Sequence, residues 1–162
     1  MNCVLHSTDM SIQHPITLRE VTRENLDEIL DLDVAPKQRE HVASNAVSLA
    51  QALIYGDVAW FRAIYSGTKT VGFLMTNESP GEHPYLWRLM IDQKHQGQGH
   101  GLHALSVLCQ RLAEQGAKEL HTSCVPGGDG PLAFYLRLGF TPTGETDEDD
   151  EVILTRPLAM NQ

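Results

Sequence analysis

The residues best placed to do chemistry form one turn, within the stretch "WRLMIDQKHQGQGHG" from Trp87 to Gly101. Its first half is largely apolar and strand-like, whereas its second half combines three glycines with glutamines and histidines. The first amides of a helix have no internal partner, and aligned peptide dipoles leave about half a positive charge there. Glycines at positions 97, 99 and 101 let an anion approach those amides closely. The spacing therefore predicts a seat for a pyrophosphate between a strand and a helix.

Two other glycine motifs do not fit this turn. No Gly-Lys-Ser/Thr follows, so the stretch is not a P-loop. A dinucleotide-binding turn has the spacing G-x-G-x-x-G in the first crossover unit, whereas this turn has G-x-G-x-G after the fourth predicted strand. A flexible surface loop is the remaining alternative, and the strand–turn–helix context disfavours it.

Hydrophobic periodicity predicts the elements that position the turn, in the order β-α-α-β-β-β-α-β-α-β-β. "ITLREV" is predicted as a strand and Thr22 as the cap of the helix that follows. A second helix is predicted to begin at Pro36 and to continue through "KQREHVASNAVSLAQALI". "SGTK" joins two strands as a hairpin, and the central strand "YLWRLMID" feeds the glycine turn. A strand, helix and strand around that turn predict a parallel crossover unit within a mixed α/β sheet.

Composition limits the classes of function. A formal net charge of -9 argues against nucleic acid as the main partner and favours cationic ligands. No apolar run is long enough to cross a bilayer, and the first residues lack the build of a secretory signal. Three scattered cysteines predict no disulfide framework and agree with a reducing cytoplasm. Cys109 and Cys124 are predicted to fill the core.

Two motifs resemble the GNAT superfamily of N-acetyltransferases. Gln96-Gly97-Gln98-Gly99-His100-Gly101 matches that superfamily's Q-x-x-G-x-G/A signature, and "FYLRLGF" (residues 134–140) resembles its later Y-x-x-x-G-F signature. With "SNAVSLAQA" and "VGFLM", the first motif is similar to bacterial spermine/spermidine acetyltransferases. The resemblance implies a single α/β domain over residues 15–158. It implies a mixed, mostly antiparallel sheet, a central parallel β-α-β unit and helices on both faces. The polar, mixed residues 1–14 are interpreted as a loose leader.

The resemblance also implies how the cosubstrate acetyl-CoA binds. Its pyrophosphate would lie on the amides of Gln96, Gly97, Gln98, Gly99, His100 and Gly101. Its pantetheine arm would pair with the central strand along Leu89, Met90 and Ile91, in a gap between the fourth and fifth strands. A backbone N–H around Met90 would polarise the thioester carbonyl.

Tyr135 is, by the same resemblance, the general acid that protonates the departing thiolate of coenzyme A. The base is open: Glu82, on the loop before the central strand, is one candidate, and Glu40 or a histidine is another. Trp87 and Asn45 are candidates to face the acceptor amine. Members of the superfamily often carry Asn-x-x-Ala before the tyrosine, and that Asn helps to hold the cofactor. Here Gly128 and Pro131 occupy the positions of the Asn and the Ala, so the resemblance does not predict which residues contact the cofactor in this loop.

Two further groups of polar residues suggest a metal or ligand site but have simpler interpretations. His95, His100 and His103 lack a convergent carboxylate or thiolate, and no metal is predicted. The acidic run "ETDEDDE" (residues 145–151) is interpreted as a solvated hairpin turn. The alternative is a surface that attracts polycations by its negative charge.

The predicted function is transfer of an acetyl group from acetyl-CoA to a primary amine, with a polyamine favoured. An amino acid, an aminoglycoside or a protein amino terminus is the alternative acceptor. A non-catalytic acyl-CoA-binding module is the alternative from another class. The predicted location is the cytoplasm. A homodimer is a further possibility, because dimers are frequent in the superfamily.

Overall fold

Seven strands form one sheet in the computed structural model, which describes residues 14–128 and 130–159. The strands are β1 (Ile16–Arg19), β2 (Ala59–Ser66), β3 (Lys69–Asn77), β4 (Tyr85–Ile91), β5 (Glu119–Cys124), β6 (Thr141–Thr146) and β7 (Val152–Pro157). Their spatial order is β1-β2-β3-β4-β5-β7-β6. Residues 1–13, which make up nearly all of the predicted leader, lie outside the described residues.

Within these described ranges, four α-helices connect the strands: α1 (Leu26–Asp31), α2 (Asn45–Ile54), α3 (His100–Glu114) and α4 (Leu132–Arg137). The predicted order β-α-α-β-β-β-α-β-α-β-β is confirmed. The sheet is mixed, with antiparallel pairs throughout except between β4 and β5, as predicted. Within the described part of the chain, no helix combines the length and apolar character that crossing a bilayer requires.

Two apolar clusters cover the two faces of the sheet. One cluster packs α3 against the sheet through residues such as Leu105, Leu108 and Leu120, all fully buried. The other packs α1 and α2 on the opposite face around Ile29 and Phe73. Helices therefore lie on both faces, as the resemblance implied. Cys109 and Cys124 are buried free thiols in the first cluster, which confirms their predicted place in the core.

Two helix starts differ from the prediction. Thr22 does not cap α1, because its own backbone N–H donates to the Asn25 side chain (2.7 Å), and Asn25 occupies the cap position. The helix predicted from Pro36 is interrupted: a 3-10 turn (Pro36–Gln38) ends, and α2 begins only after Ser44. The Ser44 hydroxyl accepts from the Val47 amide (3.3 Å), which gives α2 its own N-cap.

The central strands separate soon after they meet. Tyr85 lies opposite His121 in the one register pair that β4 and β5 share among the described residues. The Thr122 hydroxyl donates to the Leu86 carbonyl (2.9 Å) at the next step. Beyond this point each strand keeps its other neighbour, β3 or β7, so the sheet opens as a wedge between them.

Candidate active site

A cleft of about 870 Å³ fills the wedge between β4 and β5. One wall is the whole of β4, and the other is the end of β5 together with α4. The glycine turn lies at one end of the cleft, and the turn between β6 and β7 contributes acidic side chains to its lining. The glycine turn and the acidic run, both noted in the sequence, therefore border the same cleft.

A β-bulge helps β4 leave its neighbour. Met75 pairs with Arg88 and Thr76 pairs with Leu86, so Trp87 is the extra residue on β4. A bulge bends its strand and increases the local twist. Trp87 itself lines the cleft and packs at the edge of the cluster under α1 and α2, so its predicted acceptor contact stays a prediction with a suitable position.

The glycine turn has the backbone that its sequence requires. Gly97 and Gly99 adopt φ values of 75° and 80°, in the left-handed region where a side chain is strained. The first helical bond runs from the His103 amide to the Gly99 carbonyl (3.1 Å), so the amides before His103 have no helical acceptor. These amides form the open end of α3, a 15-residue helix whose dipole favours an anion there.

The side chain of Gln96 fixes this turn in place. Its amide donates to the Ile91 carbonyl at 2.9 Å and to the Gln38 side chain at 2.8 Å. Gln96, Gly97, Gly99, His100 and Gly101 all line the cleft, in agreement with their predicted position. Gln98 is exposed and is not among the lining residues, so its position gives no support to its predicted role.

The backbone of β4 faces the cleft at alternate residues. The Asp92 amide donates to the Val71 carbonyl (2.9 Å), and Met90 pairs with Phe73 in the same ladder. The alternation of an antiparallel ladder then turns Met90 towards β3 and leaves Leu89 and Ile91 facing the cleft. The backbone amide of Met90 itself therefore points away from the cleft, and the amides that face the cleft are those of Leu89 and Ile91.

Tyr135 lies on α4, half-buried in the cleft wall. Its amide donates to the carbonyl of Pro131 (3.0 Å), the residue before α4, so the altered "GGDGP" loop still leads into a regular helical turn. Burial raises the pKa of the Tyr135 hydroxyl to about 12, and the neighbouring Thr122 side chain opposes that rise. The phenol therefore remains a proton donor over the whole neutral range.

Three cleft residues that the sequence analysis missed form a hydrogen-bonded chain. The Tyr85 hydroxyl lies 2.5 Å from the Ser123 hydroxyl, and Ser123 donates to Oε2 of Glu151 at 2.6 Å. Tyr85 begins β4, Ser123 lies on β5 and Glu151 precedes β7. No motif or spacing signals this chain, because its members are 38 and 28 residues apart in sequence.

Arg88 places a cation in the same part of the cleft. Its guanidinium donates to the Trp87 carbonyl (2.8 Å) and to the Gln51 side chain (3.0 Å). Its Nε atom is buried and has no hydrogen-bond partner among the described residues. Burial lowers the pKa of Arg88, and the nearby Tyr135, Tyr85 and Glu151 oppose that shift.

Two residues predicted for the site lie away from the cleft. Glu82 is exposed in the loop before β4 and is not among the lining residues. Asn45 is buried, and its side chain donates to the Ile29 carbonyl (2.8 Å), which joins α2 to α1. These positions give no support to the predicted roles. Glu40, the other carboxylate considered as a base, does line the cleft and is exposed.

Of the three histidines near the glycine turn, two line the cleft and His103 is not among the lining residues. His95 and His100 line the cleft, and their rings lie 6.5 Å apart. Burial lowers the pKa of His100, and His95 and His103 contribute to that lowering. A neutral imidazole at position 100 adds a hydrogen-bonding group, but little charge, to the predicted anion seat.

A separate group of possible metal ligands lies outside the cleft. The side chains of His83 and His121 approach Glu119, with His121 Nε2 at 3.0 Å from its carboxylate. The two rings stack at 4.5 Å with an interplanar angle of 8°. Because an imidazole binds a metal in the plane of its ring, two parallel stacked rings do not aim at one ion.

The acidic turn is the most distinctive part of the lining. Asp147, Asp149 and Glu151 all belong to the cleft wall. Asp147 also holds the turn together, because its carboxylate accepts from the amides of Asp149 and Glu151 at 3.0 Å. The acidic run is thus the turn of a hairpin, as the sequence predicted, and three of its acidic residues also line the cleft.

Comparison with known proteins agrees with this geometry. Residues 19–140 match the family described as "Acetyltransferase (GNAT) family". A spermine/spermidine N(1)-acetyltransferase of Bacillus subtilis (strain 168) is 29% identical over 153 residues, which cover 88% of this chain and 99% of that protein.

Solved structures share the fold. An acetyltransferase from Thermus thermophilus superposes with a TM-score of 0.66 at 23% identity, covering 89% of this chain and 97% of that one. The PaiA N-acetyltransferase of Thermoplasma acidophilum, solved with coenzyme A, gives a TM-score of 0.66 at 15% identity, covering 89% and 99%. At these identities the likeness shows the fold alone, whereas the family match spans most of the sequence. The chain therefore belongs to the GNAT family and is an acetyltransferase.

Proposed function

We propose that this acetyltransferase transfers the acetyl group of acetyl-CoA to a primary amine of a polyamine. The observation that carries the proposal is the cleft between β4 and β5. It joins an anion seat at the glycine turn, a phenol of raised pKa at Tyr135 and carboxylates of the acidic turn. One cavity thus offers complementary groups to an anionic cosubstrate and to a cationic acceptor.

The cofactor half of the cleft suits coenzyme A. The unpaired amides at the start of α3 would bind its diphosphate, and the backbone of Leu89 and Ile91 would pair with its pantetheine arm. The Leu89 amide would then polarise the thioester carbonyl, in the manner of an oxyanion hole. The solved relative from Thermoplasma acidophilum, with coenzyme A in a similar fold, supports this assignment.

The acceptor half suits a polycation. Asp147, Asp149 and Glu151 contribute three carboxylates to the cleft wall. A polyamine carries further ammonium groups beyond the one that reacts, and these would interact with the carboxylates. The name of the Bacillus subtilis relative points to the same class of acceptor.

The chemistry requires two proton transfers. A primary ammonium of ordinary pKa is only about one part in 2,500 neutral at pH 7, so it must lose a proton before it attacks the thioester. The departing thiolate must gain a proton, and Tyr135 is the donor. Burial, together with Glu151, raises the pKa of the cleft-lining Cys124 thiol, so direct attack by the amine is favoured over an acyl-enzyme.

One observation favours a second class of acceptor. Arg88 lines the cleft, and its guanidinium is a cation that a carboxylate of an amino-acid substrate would meet. This candidate is secondary because the cleft lining also contains Asp147, Asp149 and Glu151, whose negative charges disfavour a carboxylate substrate.

A thiol-release assay with a panel of amines tests the proposal. The panel contains spermidine, spermine, propylamine, an α-amino acid, an aminoglycoside and an alanyl peptide, each with acetyl-CoA. We expect kcat/KM for spermidine to exceed that for propylamine by about tenfold or more. A preference for the amino acid would favour the second candidate. Calorimetric binding of acetyl-CoA without thiol release for any amine would contradict the proposal and indicate a binding module.

A further inference from the structure

The chain Tyr85–Ser123–Glu151 crosses three elements inside the acceptor part of the cleft. Its two contacts measure 2.5 Å between the hydroxyls and 2.6 Å to the carboxylate. Both distances are at the short end for hydrogen bonds between oxygens. All three side chains line the cleft, so the chain leads from its interior to the acidic turn.

From this geometry we infer that Tyr85 is the group that takes the proton from the acceptor amine, and that Ser123 and Glu151 conduct it to solvent. The inference rests on the proposed function, because it assigns the base of that same reaction. It gives Tyr85 contact with the reacting nitrogen, whereas Ser123 and Glu151 act on that nitrogen only through Tyr85.

The carboxylate fixes the direction of the hydrogens. An ionised Glu151 can only accept, so the Ser123 hydroxyl donates its proton to Oε2. The Ser123 oxygen is then the acceptor for the Tyr85 hydroxyl. The hydrogen of the Tyr85 hydroxyl is thereby directed at Ser123, which leaves a lone pair of the Tyr85 oxygen for an incoming N–H group.

The proton balance closes without any further reactant. One N–H bond of the ammonium breaks as an O–H bond forms on Tyr85, and Tyr85 passes its original proton to Ser123. Ser123 passes its own proton to Glu151, so both hydroxyls end with one proton each. The nitrogen keeps the electron pair of the broken bond and becomes the nucleophile. Glu151, half-buried beside an exposed turn, releases the proton to water.

The surroundings are compatible with this direction of transfer. Four other titratable or charged groups lie around the hydrogen-bonded chain Tyr85–Ser123–Glu151. They are Arg88 from β4, Cys124 from β5, Tyr135 from α4 and Asp147 from the acidic turn. Burial raises the pKa of Tyr85, so it stays a neutral phenol that relays protons and does not itself ionise. Tyr135 makes no bond to this chain among those found in the described residues, which leaves it free to serve the thiolate.

Variants of each link test the relay through its pH dependence. We expect Tyr85→Phe and Ser123→Ala to lower kcat/KM for spermidine about 10- to 100-fold at pH 7. The deficit should shrink to about threefold or less near pH 10, where much of the amine is neutral before it binds. The double variant should lose little more than either single variant, because a relay broken once is already interrupted. Ser123→Thr, which keeps a hydroxyl, should restore most of the activity.

A charge-matched pair completes the design. Glu151→Gln should reproduce the pH-dependent loss, whereas Glu145→Gln removes the same charge from exposed strand β6 and should leave the profile unchanged. Thermal melting shows which variants are folded, and Glu151→Gln and Tyr85→Phe carry the test if Ser123→Ala is not. A wild-type pH profile in folded variants would overturn the relay alone. Absence of thiol release by the wild-type chain with every amine would overturn the proposed function and the relay with it.

Discussion

The side-chain amide of Gln96 donates to the carbonyl of Ile91 at 2.9 Å, and this bond joins the glycine turn to the end of β4. The same amide donates to Gln38 at 2.8 Å, so the turn is held from two directions. The bond also uses a carbonyl that faces the cleft and would otherwise lack a strand partner. We therefore expect Gln96 to act on the shape of the predicted anion seat and not on the reacting atoms.

We expect Gln96→Ala to weaken acetyl-CoA binding about fivefold, because a neutral hydrogen bond contributes about 1 kcal/mol. The value of kcat at saturating acetyl-CoA should change little. Isothermal titration measures the first quantity and thiol release the second. Gln110→Ala on the exposed face of α3 is the control, since Gln110 bonds only to the neighbouring Glu114 side chain among the described contacts. Unchanged affinity in Gln96→Ala would contradict the role of the bond.

Gly72 is required where β3 passes β4. A Cβ atom there would lie 2.4 Å from the Met90 carbonyl oxygen and 2.9 Å from Cδ1 of Ile91. The first contact is with backbone, so the strand itself would have to shift. We expect Gly72→Ala to lower the free energy of unfolding by about 2 to 3 kcal/mol, measured by urea denaturation. A Cβ atom at Gly128 would meet no atom of the described residues within 4 Å, so Gly128→Ala should have little effect.

The parts of the site that the sequence predicted depend on local signals. Gly97 and Gly99 need their residue type for their own φ values, and the strand and helix that flank them follow from hydrophobic period. Tyr135 lies in a motif that is also local, since residues 134–140 are consecutive. The structure then placed both in one cleft because β4 and β5 meet at a single parallel register pair among the described residues.

The parts that the sequence missed depend on pairings between distant segments. Ser123 reaches Tyr85 because β5 lies beside β4, and it reaches Glu151 because β5 pairs with β7. Neither pairing has a signature within the paired residues. Conversely, Asn45 is polar and helical like many binding residues, but its bond to the Ile29 carbonyl gives it a structural function that only the packing of two helices reveals.

Removal of the Tyr135 hydroxyl should separate catalysis from binding. We expect Tyr135→Phe to lower kcat about 100-fold or more, in the range of general acid catalysis, because the thiolate then leaves without a proton donor. Affinity for acetyl-CoA should stay within about twofold, since the ring remains in place. Phe134→Leu, next to it on α4, changes packing without removing a hydroxyl and serves as the comparison. An equal loss in both variants would indicate that Tyr135 acts by packing alone.

The raised pKa of Tyr135 also predicts how stability depends on pH. The pKa of this phenol rises from 10.0 to about 12 on folding, mainly through burial. Its contribution to stability is therefore fully present below about pH 10 and is lost as the pH rises through about 12. We expect the free energy of unfolding to fall by about 2 kcal/mol more in the wild type than in Tyr135→Phe over that range. Urea denaturation at several alkaline pH values measures the difference, and parallel curves would contradict the assigned pKa.

Asp149 should act on the distal charge of the acceptor and not on the reaction. It is exposed, lines the cleft and uses its backbone amide, not its carboxylate, in the bond to Asp147. An exposed charge contributes modestly, so we expect Asp149→Asn to raise KM for spermidine about two- to fivefold and to leave kcat unchanged.

The response of two amines separates attraction from damage to the fold. Propylamine has no second ammonium, so its KM should be the same in wild type and Asp149→Asn. Glu145→Gln, which removes an equal charge outside the cleft, should change neither KM. Near 1 M salt the difference in KM for spermidine between wild type and Asp149→Asn should disappear, because the Debye length is then only about 3 Å. A rise in KM for both amines, or one that persists in high salt, would mean that Asp149 shapes the cleft and does not attract the polycation.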